Sequence, residues 1–212
     1  MAKAKNPKAP AGFVNHPLGI KRTVYGREKK SSGRVTYIVD PEGIDPEKKI
    51  SEVVVLKRWR KRSLAHYSFS GATLNPKIWR SLPYIFGDDP KKWAALSVKE
   101  ITECLQNAKV THPEDKKFLP SASILAIIFK VCGAKNLQKI LKRHNDPSRT
   151  EIFGTPDLFL FATNSKTKEI HEAHFVEVKR PDEKLSDWQE DEISFLKSLG
   201  LQAGVYRLKE KN

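Results

Sequence analysis

The chain has 212 residues, a formal net charge of +14, 39% hydrophobic and 30% charged side chains. That length supports one large domain or two small ones with a real core, and its most apolar run, Ile124 to Phe129, is too short to cross a bilayer. The two cysteines, Cys104 and Cys132, exclude a disulfide framework and a cysteine zinc site and fit a reducing interior. Met1 to Pro10 has no apolar centre of the kind a signal peptide needs, so a cytoplasmic or nucleoid-associated location and no membrane partner are expected.

In chain order, residues 1–12 read as a flexible basic tail. Residues 13–110 read as a basic, β-rich and then helical region, a nucleic-acid-binding or dimerisation module. Thr23–Tyr25 and Arg34–Val39 flank the polar turn Lys29–Gly33 and predict a hairpin. Ile50–Leu56, with three successive valines, predicts a third strand. It runs into Lys57-Arg58-Trp59-Arg60-Lys61-Arg62, five cations around one tryptophan. Such a run can neutralise phosphates while Trp59 stacks on a base, or it can be a solvated strand end with Trp59 in the core. Residues 70–92, rich in Gly, Pro and Asp, predict a connection with short turns, with Trp79 and Trp93 as core residues. Ser97 and Glu100 form a capping-box pattern before a helix. Apolar positions 124, 127, 128 and 131, then 137, 140 and 141, predict helices over 121–132 and 135–144 bent at Gly133.

Residues 111–212 read as a separate core. The pattern is strand Asp157–Ala162, polar turn 163–168, strand Ala173–Lys179, helix Asp187–Leu199 and strand Gly204–Leu208, with Ser186 as N-cap and Gly200 just past the helix. Charge divides further along, near residue 150. Residues 150–212 carry nine basic and twelve acidic side chains, net −3, which leaves +17 on the rest. The first part is suited to a polyanion and the second to a cation.

Asp157 opens an almost continuously apolar strand, which implies that both its faces are covered. A carboxylate there is costly unless it is paired or binds metal. Glu177 and Lys179 alternate with Val176 and Val178, so acid and amine share one face. Two carboxylates near each other can hold Mg²⁺, and a lysine beside them can align an attacking water for phosphodiester hydrolysis. The same residues also allow a structural Glu177–Lys179 ion pair with Asp157 in a turn. Gln189, three residues after Ser186, suits a capping box; reaching back to Lys179 or a phosphate is the other role, and in one rotamer the two roles are expected to exclude each other. His171 and His174 lack a third ligand and read as surface or packing residues. Lys139, Lys142, Arg143 and Arg149 precede the motif and are candidate phosphate contacts.

Gly154-Thr-Pro-Asp157, Val176-Glu-Val-Lys179 and Lys184-Leu-Ser-Asp-Trp-Gln189 together resemble the PD-(D/E)XK nuclease superfamily, and within it the VRR-NUC group. The resemblance implies a restriction-endonuclease-like α/β (α+β) core, a mixed sheet flanked by helices. It implies Asp157, Glu177 and the carbonyl of Val178 as ligands of Mg²⁺ (Mn²⁺ substituting), Lys179 as the water-orienting group and Gln189 as its support. The group usually adds a glutamate from an upstream helix, yet residues 121–144 contain no acid; Glu100, Glu103 and Glu151 are the alternatives. The expected activity is a metal-dependent DNA endonuclease, structure-selective on branched or flapped DNA or of restriction type, with a symmetric homodimer as the assembly for a branched substrate. A non-catalytic nucleic-acid-binding protein and an RNA-cleaving factor are the alternatives.

Overall fold

The computed structural model describes residues 21–22, 36–39, 51–147, 154–180 and 183–208; the tail over 1–12 and most of the expected hairpin lie outside them. In chain order the elements are β1 (Lys21–Arg22), β2 (Thr36–Val39), α1 (Ser51–Arg60), β3 (Tyr67–Thr73), α2 (Ile78–Phe86), α3 (Pro90–Ala95), α4 (Val98–Thr111), α5 (Pro113–Lys116), α6 (Ala122–His144), β4 (Leu158–Asn164), β5 (Ile170–Lys179), α7 (Asp187–Ser198) and β6 (Ala203–Leu208). The strands form one mixed sheet in the order β1-β2-β6-β5-β4-β3. β6 runs parallel to both of its neighbours, and β3, β4 and β5 pair antiparallel. The sheet therefore takes strands from both sides of residue 110.

The strand expected over 50–56 is a helix instead. Its valines favour an extended chain locally, but Val55, Leu56 and Trp59 fall at helical spacing and are all buried. They pack against Phe69, Leu158, Leu160, Val176 and Tyr206 on one face of the sheet. Burial of that stripe outweighs β-propensity, which is a weak local preference. The connection expected over 70–92 is likewise largely regular structure. β3 runs through Thr73, and two short helices follow, α3 being capped by Asp89 and started by Pro90.

The opposite face carries the larger core, where Phe159, Phe161, Ala173 and Phe175 meet α2, α3, α4, α6 and α7. β4 is covered on both sides, as its continuous apolar sequence requires. Trp79 and Trp93 are fully buried there. Both capping boxes form, at Ser97–Glu100 and Ser186–Gln189. Gly133 breaks α6 into two helices with φ 66° and ψ 163°, a conformation that glycine adopts at little cost.

A candidate active site at the end of the central strands

Three elements converge at the C-terminal end of β5. The segment Gly154–Asp157 arrives alongside β3, with Leu74 N–H donating to the Asp157 carbonyl at 2.7 Å and the Thr155 hydroxyl donating to the Pro76 carbonyl at 3.2 Å. Gly154 has φ +129°, and a side-chain carbon there would meet the Trp188 carbonyl at 3.0 Å and Glu192 Cβ at 3.2 Å. The motif segment is thus pressed against α7, and only glycine fits.

Asp157 accepts from the Val178 N–H at 2.7 Å. Glu177, 2% exposed, lies 3.1 Å from the Lys179 ammonium. Gln189 caps and supports at once. Its Oε1 accepts from the Ser186 N–H at 3.0 Å, while its Nε2 donates to Glu177 Oε1. An amide carries both an acceptor and a donor, so the capping rotamer also reaches Glu177, a contact not expected from the sequence.

The two carboxyls interact directly, and both are raised above their ordinary range. Burial is the main cause for each. For Glu177 the neighbouring Asp157 charge adds to it, and its carboxyl is pushed up to about 8 despite Lys179. Asp157 is raised by burial and opposed by the Val178 N–H, while Glu52 raises it further. Two buried acids that resist ionising together are a natural receptor for a divalent cation, which relieves both burial and mutual repulsion. Asp157, Glu177 and the Val178 carbonyl would form the donor set, all oxygen, as Mg²⁺ requires. Among the described residues no three His, Cys, Asp or Glu side chains already converge as a metal cage.

Glu52 is an acid near the site that sequence reasoning missed. It lies in the first turn of α1, close enough for its charge to act on Asp157. The available signal was the helical spacing of Val55, Leu56 and Trp59, which would have placed Glu52 on a helix over the same face. Of the alternatives, Glu100 closes the α4 capping box and Glu103 faces Lys99 at 3.9 Å on an exposed surface; Glu151 lies outside the described residues.

The basic run is redistributed by the helix. Trp59 is fully buried, its indole N–H donating to the carbonyls of Ser70 (2.8 Å) and Phe161 (3.1 Å). It is core and not a base platform. Arg62 is also interior, paired with Glu172 at 3.2 Å and lying over the Trp59 and Phe69 rings. Arg60 donates to the Gly71 carbonyl at 2.6 Å, though much of its surface is exposed. Lys57 and Lys61 are exposed and Arg58 half-buried. Arg143, expected on phosphate, instead bridges to Asp191 (2.6 Å) and Glu192 (2.8 Å) and ties α6 to α7. Burial acts to raise the Glu192 carboxyl, but His144 and Arg143 outweigh it and hold it below its ordinary value. Lys139 and Lys142 are exposed on α6, and Arg149 lies outside the described residues. His171 stacks on Tyr67, and His174 is buried 3.1 Å from Glu172. An open depression of about 600 Å³ lies between α4 and the α5–α6 corner, but none of its lining residues belongs to the acidic site.

The VRR-NUC domain matches residues 98–209, more than half of the chain. The chain belongs to the VRR-NUC family. Among solved structures, this VRR-NUC protein is similar to paFAN1 bound to DNA with a two-nucleotide 5′ flap and a gap. The TM-score is 0.52 at 15% identity, over 92% of this chain and 40% of that one. A second paFAN1 complex, with a one-nucleotide 5′ flap and a gap, gives a TM-score of 0.47 at 13% identity over 84% and 38%. The chain therefore spans less than half the length of these relatives, and the likeness is one of fold. No curated protein matches it.

Proposed function

We propose that this VRR-NUC protein is a divalent-cation-dependent DNA endonuclease that prefers flapped or branched substrates. The observation that carries the reading is the buried Asp157–Glu177 pair with Lys179 and Gln189 on one side of it. Family membership supports nuclease chemistry, and the flapped DNA bound by paFAN1 is the reason to test flaps first.

Mg²⁺ held by Asp157, Glu177 and the Val178 carbonyl would supply Lewis-acid polarisation of a phosphoryl oxygen and a more acidic water. Lys179 then turns from Glu177 to hold the attacking water and offset charge developing on the phosphate. Gln189 keeps Glu177 oriented through its amide, and the Val178 N–H does the same for Asp157. Glu52, in the first turn of α1, adds a negative charge that acts on Asp157.

The test is cleavage of labelled single-stranded, duplex, 5′-flap and four-way DNA, and of RNA, with Mg²⁺, Mn²⁺ or EDTA. Asp157→Asn and Lys179→Ala proteins with unchanged melting run alongside. Metal-dependent cutting of flaps by the wild type and a loss of roughly 10²-fold or more in the variants is expected. Preferential cutting of RNA would replace the DNA reading, and tight binding without cutting by any protein would make the chain a binding protein.

A further inference from the structure

The chain has four tryptophans. Trp59, Trp79 and Trp93 expose no surface, whereas Trp188 is 40% exposed. Leaving a large apolar ring in water is costly, and three of four positions avoid it. Trp188 occupies the first turn of α7, directly before Gln189, whose amide holds Glu177. Its backbone carbonyl lies under Gly154, three residues from Asp157. The backbone of Trp188 thus lies next to both arms of the acidic site, and its indole is partly exposed. Its neighbours along the chain include Asp187 and Glu190, which repel a phosphate backbone. A nucleobase carries no such charge and offers a flat face to an aromatic ring.

We infer that Trp188 is a base-contacting residue, stacking on the nucleotide next to the scissile phosphate. The inference rests on the nuclease reading above and names the part of the substrate that this side chain takes. The full chain is titrated with a labelled 5′-flap oligonucleotide and with single strands in EDTA, following both intrinsic tryptophan emission and label anisotropy. Because the other indoles are sealed, quenching on binding reports Trp188. Trp188→Ala is expected to lose the quenching and to weaken binding roughly 10- to 100-fold with unchanged melting. With Mg²⁺ its KM rises while kcat changes little. Trp188→Phe restores most of the affinity without the quenching. Binding by anisotropy with no quenching, and equal affinity in Trp188→Ala, would overturn this inference while leaving the nuclease reading intact. Absence of binding to any oligonucleotide would overturn both.

Discussion

Glu177 sets the pH behaviour of the site. Its carboxyl is raised to about 8 in the folded protein, chiefly by burial and then by Asp157. The unfolded chain ionises it near the ordinary glutamate value, about 4.3. Between those values the folded state holds a proton that the unfolded state has lost. This residue's contribution to stability is therefore full at low pH and is lost as pH rises toward about 8. Two outcomes follow. Mg²⁺ must displace that proton, so its affinity should rise with pH up to about 8 and binding should release protons, measurable by calorimetry in buffers of different ionisation heat. Glu177→Gln removes the ionisation cost. It should leave the metal-free protein at pH 8.5 as stable as the wild type or about 2–4 °C higher in Tm, while abolishing cleavage and the Mg²⁺-induced rise in Tm. A large fall in Tm would show instead that the Lys179 pair dominates.

Among elements, α1 is where sequence and structure part. The strands around Asp157 and Glu177, α7 with its caps, and the bend at Gly133 were legible because each carries its own local signal: continuous apolar runs, Ser-X-X-Gln, an interior glycine. α1 lacks one. Val53, Val54 and Val55 say strand, and only the sheet that Val55, Leu56 and Trp59 cover makes them a helix. That single misreading hid Glu52 and made Trp59 and Arg62 look like contacts to nucleic acid. The correction is testable. Glu52→Gln should lower kcat roughly tenfold or more with little change in Tm, the scale of losing one charge at a metal site. Trp59→Phe should cost about 1–3 kcal/mol by removing the donor to the Ser70 and Phe161 carbonyls, seen as a lower urea midpoint. Gly71→Ala should be worse, since the added carbon would lie 2.5 Å from the Phe159 carbonyl inside the β3–β4 pair.

For the whole molecule, charge is unevenly placed. The net +14 sits on a chain whose motif-bearing segment is negative. Exposed Lys57, Lys61, Lys139 and Lys142 remain available to phosphates, while Arg62 and Arg143 are committed to internal acids. Substrate affinity should fall steeply with salt, log K dropping linearly with log salt at a slope of about −0.7 to −0.9 per phosphate neutralised. Reversing Lys139 and Lys142 should make that slope shallower. Arg143→Ala should instead lower Tm, because it removes the ion pairs to Asp191 and Glu192 that tie α6 to α7.

The order of the sheet has a consequence in time. β6, whose residues come last among the strands, is inserted between β2 and β5, and its Val205 lies opposite Glu177. During synthesis β5 can pair with β4, but its other edge stays open until residues 203–208 have left the ribosome. A chain lacking β6 would leave that edge of β5, with its backbone donors and acceptors, open to pairing with another strand.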